Sequence, residues 1–307
     1  RRAGRTFFSQ TVPLFWNLER KKGELVKSPA LLVPLAAPLV AVVMLATPVC
    51  LSAAVPESHT VHVNGIDLHY EITGSGDDLL LLHSGTRTTR MWDGFVERFS
   101  KNHRLIAVDL RGHGGSTNPD GVWSTRQFAS DVLALLDHLG VAKCQAVGAS
   151  AGAMTLLHIA TQEPERIERM IVIGVGTYLN TSCRESLAAV NPDDIPEAAW
   201  NSLRARHTHG DDQIRALYSW VASLSESYND MTFTPPYLST ITATTLIVHG
   251  DRDYCFPASM AWDIYDAVPD AYLWVVPNGG HVPITGTNAA EFAETAVEFL
   301  SGSWEQQ

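Results

Sequence analysis

The sequence is poor in several features that identify common classes of protein. Its 307 residues include only four cysteines, with neither an even disulfide framework nor the paired spacing of a zinc site. Basic residues are scarce as well, because 22 lysines and arginines face 33 acidic residues. The resulting formal charge of -11 argues against a nucleic-acid-binding protein, which needs clustered lysine and arginine to contact phosphates. Internal repeats and low-complexity tracts are also missing, so we expect an ordinary globular protein.

The cysteines that follow residue 55 leave two alternatives open. They are Cys144, Cys183 and Cys255. Either Cys183 and Cys255 form a disulfide after export, or all three are isolated thiols. The histidines are scattered without metal-ligand spacing, and His207-Thr208-His209 is too isolated to count as a site. We therefore expect no metal.

Long apolar runs are confined to one segment. Residues 30–55 are uncharged, follow Lys27 and end in the small residues 52–54, although three prolines weaken a continuous helix. A basic start, an apolar run and a small-residue end are typical of a secretory signal peptide, and the run would also span a bilayer as a helix. The alternatives are a cleaved export signal, an uncleaved membrane anchor, and an amphipathic or disordered extension. We expect a periplasmic or secreted protein if the segment is cleaved and a membrane-anchored one otherwise; a cytoplasmic location is less favoured.

Charge divides the chain at the same place. Residues 1–55 carry seven lysines and arginines against two acidic residues, whereas residues 56–307 carry 15 against 31. We therefore predict a basic N-terminal segment over residues 1–55 and a separate acidic body.

In the body, short apolar runs alternate with helical patterns over residues 56–177 and 241–303. This alternation predicts an α/β protein with a mostly parallel, eight-stranded sheet and helices on both faces. Asn64-Gly65 lies between two strand patterns and predicts a hairpin near the start. Residues 178–240 interrupt the alternation with helical and loop-like sequence, so we predict a small helical cap inserted after the sixth strand. The predicted strands include 78–83, 103–109, 143–149, 168–174, 244–250 and 271–276, and the predicted helices 91–99, 125–139, 151–162, 258–267 and 289–300.

Three strand ends carry residues suited to nucleophilic catalysis. Gly148-Ala149-Ser150-Ala151-Gly152 lies between a predicted strand and a predicted helix, which is the context of a nucleophile elbow. Asp251 and Asp253 follow the strand 244–250, and His281 follows the strand 271–276. The order serine, aspartate, histidine is that of an α/β-hydrolase triad, so we predict Ser150, one of the two aspartates and His281 as catalytic.

From about residue 59 to residue 300 the chain resembles the α/β-hydrolase superfamily. More narrowly, it resembles the group of proline iminopeptidases, haloperoxidase/perhydrolase-type esterases and carbon–carbon bond hydrolases. The matching stretches are LLLHSGTRTTRMW (80–92), DLRGHGGS (109–116), VGASAGA (147–153), HGDRDYCFP (249–257) and NGGHVP (278–283). These stretches are specific for the fold and poorly specific for the substrate.

The resemblance implies roles for further residues. It assigns the triad acid to Asp253, with Asp251 as the alternative, and the oxyanion hole to the backbone N–H groups of Gly85 and Ala151. Ser84 stands where the family has glycine, which is a departure. Substrate choice should lie in the cap and nearby loops, and the candidate pocket residues are Trp92, Trp123, Met154, Tyr178, Trp220, Tyr254 and Phe256.

The predicted function is hydrolysis of a carboxylic ester of a small or medium-sized molecule through an acyl-enzyme on Ser150. No metal or organic cofactor is implied. The alternatives are an aminopeptidase, a lactonase or a carbon–carbon hydrolase on the same triad, or a ligand-binding receptor with residual hydrolase activity. We expect a small-molecule substrate, no nucleic acid, and membrane contact only through an N-terminal anchor; no oligomeric state is predicted.

Overall fold

The computed structural model describes residues 55–306. The basic segment and the apolar run, predicted to form a signal peptide or membrane anchor, lie outside these residues except for Val55. Among the residues described, no helix is both long and apolar enough to cross a membrane.

Eight strands of this part of the chain form a single sheet. They are β1 (Glu57–Val63), β2 (Ile66–Gly74), β3 (Asp77–Leu82), β4 (His103–Val108), β5 (Cys144–Ala149), β6 (Ile167–Ile173), β7 (Thr244–Gly250) and β8 (Ala271–Val276). Their order across the sheet is β1-β2-β4-β3-β5-β6-β7-β8. β2 is antiparallel to both of its neighbours, and all other pairs are parallel. The predicted fold class is therefore confirmed.

Helices cover both faces of the sheet. They are α1 (Asp93–Phe99), α2 (Thr125–His138), α3 (Ala151–Gln162), α4 (Thr181–Ala188), α5 (Glu197–Arg204), α6 (Asp211–Ser223), α7 (Pro235–Leu238), α8 (Ala258–Ala267) and α9 (Ala289–Leu300). In β3, Leu80 and Leu82 belong to an apolar cluster with α2, α3 and α8, whereas Leu79 and Leu81 belong to a second cluster with α1 and α9. Because successive strand side chains point to opposite faces, an all-leucine run is what a strand buried on both faces requires.

The connection from β6 to β7, residues 174–243, contains α4 to α7 and is called the β6–β7 segment below. Ile195, Trp200, Leu203 and Ile214 form a small apolar cluster within it. Two of these residues lie on α5, which packs against α6. The predicted cap boundaries of 178 and 240 remain a prediction.

A disulfide decides between the two cysteine alternatives. Cys183, on α4, is bonded to Cys255, in the loop after β7, with 4.3 Å between their Cα atoms. Cys144 on β5 is free and buried, and this burial raises the pKa of its thiol to about 12. The alternative of three isolated thiols is therefore wrong for this structure.

Candidate active site

Ser150 occupies the turn between β5 and α3 with φ 50° and ψ -112°. Such a conformation costs a residue with a side chain about 1–3 kcal/mol, so the surroundings must enforce it. The Ser150 N–H donates to the Ile173 carbonyl at 2.8 Å. A Cβ on Gly148 would lie 2.6 Å from the Gly152 carbonyl oxygen, and one on Gly152 would collide with the Leu82 carbonyl. Both glycines are thus required by close approach of backbone at this turn.

His281 contacts Ser150 on one side and Asp253 on the other. Its Nε2 lies 2.9 Å from Ser150 Oγ, and its Nδ1 lies 2.9 Å from Asp253 Oδ2. Since an ionised carboxylate only accepts, Nδ1 carries the proton and Nε2 is left to accept from the serine hydroxyl. Asp251 is exposed and faces Arg252 at 3.8 Å. The structure therefore brings Asp253, and not Asp251, to the histidine.

The Asp253 carboxylate is completely buried and fully hydrogen-bonded. Its Oδ1 accepts from the backbone N–H groups of Cys255 at 2.8 Å and Phe256 at 3.1 Å. Burial raises the pKa of Asp253, but the hydrogen bond and charge of His281, together with these two N–H groups, outweigh it. The pKa consequently lies below the usual aspartate value, and the group is ionised at neutral pH.

The loop that presents the histidine packs tightly against the loop that presents the acid. A Cβ on Gly250 would collide with the carbonyl oxygens of Gly279 and Gly280, and the Arg252 N–H donates to the Gly279 carbonyl at 2.8 Å. The left-handed residue of the histidine loop is Asn278, with φ 56°, one position before the glycine pair. Gly279 is thus needed for close contact, because a Cβ there would lie 2.8 Å from Cβ of Pro283.

The N–H groups of Gly85 and Ala151, the predicted oxyanion donors, have no hydrogen-bond acceptor within residues 55–306. Ala151 is the first residue of α3, where backbone N–H groups lack an intrahelical partner and the helix dipole is positive. The Gly152 N–H donates to the His83 carbonyl at 3.1 Å, which ties the loop of Gly85 to the start of this helix. The arrangement can therefore accept a negatively charged oxygen.

His83 braces the loop that contains Gly85. Its Nδ1 donates to the Ser84 carbonyl at 2.8 Å, and its Nε2 accepts from the Leu110 N–H at 3.0 Å. This pair of bonds requires neutral imidazole, and burial lowers the pKa of His83 accordingly. The side chain has a structural role in this loop.

Asp109, the residue directly after β4, stabilises the same region through three hydrogen bonds to its carboxylate. Its carboxylate accepts from the N–H groups of Thr89 at 2.8 Å and Gly115 at 2.9 Å, and from His69 Nδ1 at 2.8 Å. Burial raises the pKa of Asp109, but the hydrogen bond from His69 and the backbone N–H groups leave it below its usual value. The hydrogen bond to Asp109 raises the pKa of His69 in turn, against the opposing effect of burial.

Four of the predicted pocket residues lie at the site or next to it. The rings of Tyr254 and Phe256 lie 5.4 Å and 5.6 Å from that of His281, with Tyr254 largely exposed and Phe256 buried. Trp220 borders Gly85, where a Cβ would lie 3.7 Å from its ring. Trp123 stacks on Trp220 at 5.5 Å between ring centroids.

The other three predicted pocket residues are buried in the core or line another groove. Trp92 is completely buried in the apolar cluster of α1 and α9, 6.1 Å from the ring of Phe95, because its indole fills the space between helix and sheet. Met154 is buried in the core cluster of α2, α3 and α8. Tyr178 is half exposed and lines a different groove, together with Tyr228. The structure thus corrects the expectation that Trp92 and Tyr178 line the site.

Two histidines that were not predicted as site residues contact the loops of the site. His207 contacts the Thr86 carbonyl and the Gly114 N–H, and His249 Nε2 donates to the Phe256 carbonyl at 2.9 Å. The partners of His207 are backbone atoms 121 and 93 positions away, so no residue spacing could indicate them. Across residues 55–306, no group of three or more histidine, cysteine or acidic side chains is placed to hold a metal ion.

Comparison with known proteins identifies a family. The sequence model of the alpha/beta hydrolase family matches residues 79–295. A 2-hydroxy-6-oxo-6-(2'-aminophenyl)hexa-2,4-dienoic acid hydrolase of Metapseudomonas resinovorans is 21% identical over 78% of this chain and 90% of its own length. A pimeloyl-[acyl-carrier protein] methyl ester esterase of Nitrosomonas europaea is 27% identical over 70% of this chain and 93% of its own length.

A solved structure shares the fold. The enol-lactonase of Burkholderia xenovorans superposes with a TM-score of 0.65 at 24% identity, covering 79% of this chain and 100% of its own. At this identity the likeness concerns the fold alone. These three proteins are named for three different substrates, so the comparisons indicate a hydrolase without selecting the substrate.

Proposed function

This chain belongs to the alpha/beta hydrolase family, and we propose that it is a serine hydrolase that cleaves the carboxylic ester bond of a small or medium-sized molecule. The observation that carries this proposal is the hydrogen-bonded series from Asp253 through His281 to Ser150, with 2.9 Å in each step. A serine hydroxyl is a weak nucleophile, and an adjacent base that is itself oriented by a carboxylate is what activates it.

The first half of the reaction forms an acyl-enzyme. His281 Nε2 takes the proton of the Ser150 hydroxyl as Oγ attacks the ester carbonyl carbon. The carbonyl oxygen becomes an oxyanion, which the N–H groups of Gly85 and Ala151 stabilise. The buried, ionised Asp253 stabilises the imidazolium that forms. His281 then gives its proton to the departing alkoxide, and the acyl group remains on Oγ.

The second half reverses these roles with water in place of the alcohol. His281 takes a proton from water, and the resulting hydroxide attacks the acyl carbon. The same two N–H groups hold the second oxyanion. As the intermediate collapses, the Ser150 oxygen leaves and recovers its proton from the imidazolium, and the carboxylic acid is released. The residues return to their starting protonation states, so no external reagent besides water is needed.

An apolar substrate portion fits the side chains that surround this site. The buried rings of Phe256 and Trp220 lie next to His281 and Gly85, and Tyr254 stands exposed at the edge. Such a lining favours binding of hydrocarbon over charge. We propose that the β6–β7 segment, which supplies Trp220, acts as a cap and sets the choice of substrate.

An aminopeptidase ranks below an esterase because the acidic residues of the β6–β7 segment are exposed on the surface, except Asp230, which accepts from the Thr125 N–H. Asp193 is exposed and pairs with Arg215, and Asp211 is exposed and pairs with Arg204 at 2.8 Å. A substrate ammonium group needs a carboxylate that is directed into the site and has no other partner. Lactonase and carbon–carbon hydrolase activities use the same three residues, and they are separated from esterase activity only by assay.

The test is a panel of nitrophenyl esters of increasing acyl length, assayed with the wild-type protein and Ser150→Ala. We expect turnover by the wild type and its loss in the variant, with the preferred acyl length reporting the size of the pocket. Equal turnover by both proteins would remove Ser150 from the mechanism. Hydrolysis of a prolyl anilide without ester hydrolysis would favour the aminopeptidase instead, and binding of esters without turnover would favour a receptor.

A further inference from the structure

His207 joins the β6–β7 segment to two loops of the site. It lies between α5 and α6 and is 1% exposed. Its Nδ1 accepts from the Gly114 N–H at 3.0 Å, and its Nε2 lies 3.3 Å from the Thr86 carbonyl oxygen. Because the N–H can only donate and the carbonyl can only accept, both contacts are satisfied by one form of the ring. That form is neutral imidazole with its proton on Nε2.

The backbone that His207 holds is a strained turn. The Arg87 N–H donates to the Ser84 carbonyl at 3.1 Å, which makes Gly85 and Thr86 the central residues. Thr86 has φ 59° in the second central position, where glycine is preferred and a β-branched residue is strained. The backbone strain would be released if Thr86 returned to negative φ. A contact from outside the turn is therefore needed to hold Thr86 at positive φ.

The turn contains Gly85, whose N–H is one of the two predicted oxyanion donors, so a displacement of the turn moves this donor. We propose that His207 is a positioning residue for the oxyanion hole, because its hydrogen bonds to Thr86 and Gly114 keep the turn in the form that presents the Gly85 N–H to the reacting carbonyl. The inference rests on the proposed function, since an oxyanion hole matters only if the protein forms a tetrahedral intermediate.

Neighbouring residues of the β6–β7 segment donate hydrogen bonds to the loop after β4, residues 109–117, which is called the second loop below. They do not bond to the turn. The Thr208 N–H donates to the Gly114 carbonyl at 3.1 Å, His209 Nε2 to the Gly115 carbonyl at 3.0 Å, and Gln213 Nε2 to the Gly112 carbonyl at 3.0 Å. Among these hydrogen bonds, only that of His207 reaches residues 84–87. Loss of its imidazole should thus release the turn while the segment stays attached.

The surroundings of His207 keep its ring in the required form. Burial lowers the pKa of His207 to about 4, and the charge of Arg206 acts in the same direction. The hydrogen bond to the Thr86 carbonyl and the charge of Asp109 oppose this shift. At neutral pH the ring is therefore uncharged, with Nδ1 free to accept from the backbone N–H.

Three variants test this role, with kcat and KM for a nitrophenyl ester and a crystal structure of each as the readouts. His207→Phe keeps the ring volume and loses both hydrogen bonds. His207→Gln keeps a side-chain N–H that can reach the Thr86 carbonyl. His209→Phe is the matched control, because it loses one bond to the second loop and leaves the turn untouched. Thermal unfolding of each variant separates misfolding from misplacement.

We expect kcat of His207→Phe to fall about 10–100-fold with KM nearly unchanged, since an oxyanion contact is made mainly in the transition state. In its crystal structure Thr86 should adopt negative φ. His207→Gln should recover most of the lost kcat with Thr86 at positive φ, and His209→Phe should resemble the wild type.

The inference is overturned if Thr86 keeps positive φ in His207→Phe, or if His209→Phe lowers kcat as much. If Thr86 moves and kcat does not change, His207 holds the turn but the turn has no part in catalysis, and the inference also fails. If the wild type hydrolyses no ester, the proposed function fails, and the φ of Thr86 in His207→Phe still decides whether this histidine holds the turn.

Discussion

At the scale of single residues, Asp251 and Asp253 differ in burial although they lie two positions apart. Asp253 is buried, accepts two backbone N–H groups and contacts His281, whereas Asp251 is exposed beside Arg252. The resemblance to the α/β-hydrolase superfamily assigns the triad acid to Asp253. The hydrogen bonds of Asp253 give the physical reason for that assignment.

Exchanging each of these acids for its amide separates their roles. Asp253→Asn should lower kcat by about 10³–10⁴-fold, because an amide at this position can stabilise the wrong tautomer of His281 and carries no charge for the imidazolium. Asp251→Asn should leave kcat within about threefold, as expected for a surface substitution. Steady-state ester hydrolysis by both variants is the measurement, and equal losses would show that the acid has been misassigned.

The pair of His69 and Asp109 should make stability depend on pH. The pKa of His69 is raised in the folded protein, mainly by its hydrogen bond to Asp109. A raised histidine pKa contributes stability that is complete below the unfolded value, about 6.5, and is lost as pH rises through the folded value. The free-energy difference between wild type and His69→Gln should therefore be larger at pH 5.5 than at pH 8.5.

Chemical denaturation at these two pH values measures that difference, and the partner supplies the control. In an Asp109→Asn background, His69→Gln should show little change of its effect with pH, because the carboxylate that raises the histidine pKa is gone. A pH-independent effect in the wild-type background would contradict the coupling.

At the scale of elements, most of the sheet and its helices follow from sequence pattern. The helix predicted at 151–162 and the strand predicted at 244–250 coincide with α3 and β7, since the alternation of apolar strand runs with helical patterns is local information. The helix predicted from Met91 begins instead as a 3₁₀ turn at Thr89, and α1 starts at Asp93. The extra turn arises where Asp109 accepts from the Thr89 N–H, a contact between remote loops.

Tertiary contacts to backbone atoms could not be read from the sequence. The contact of His207 with Thr86 spans 121 positions, and it depends on how the β6–β7 segment packs. The left-handed residue of the histidine loop is Asn278, although two glycines follow it directly. Gly279 is required there for close packing, which depends on the relative placement of two loops.

The disulfide links α4 to the loop of the triad acid, and its removal should weaken the fold. Cys183 and Cys255 are 72 positions apart, and closing a loop of that length stabilises by about 4 kcal/mol in the chain-entropy treatment. We expect the double variant Cys183→Ser/Cys255→Ser to lose about 2–5 kcal/mol of unfolding free energy. Urea denaturation measures the loss.

Reductant provides the matched comparison for that prediction. It should destabilise the wild type to a similar degree and leave the unfolding free energy of the double variant unchanged. Cys144 is buried and free, so it contributes no second disulfide that a reductant could break. Wild-type stability that does not respond to reductant under denaturing conditions would show that the bond is absent in solution.

At the scale of the whole molecule, the disulfide supports export, because such bonds persist mainly in oxidising compartments. The predicted leader ends in Ser52-Ala53-Ala54, and a cleaved signal predicts a mature protein that begins after Ala54. N-terminal sequencing of protein from the native host tests this. A mature chain that retains residues 30–54 would favour the membrane anchor.

The proposed mechanism requires a covalent acyl-enzyme on a single residue, Ser150. Intact-protein and peptide mass spectrometry after rapid quenching with a slowly hydrolysed nitrophenyl ester detects this intermediate. We expect one acyl group per chain, located on Ser150, absent in Ser150→Ala and greatly reduced in His281→Ala. An acyl group on another residue, or turnover of the ester with no adduct on Ser150 under any quench, would contradict it.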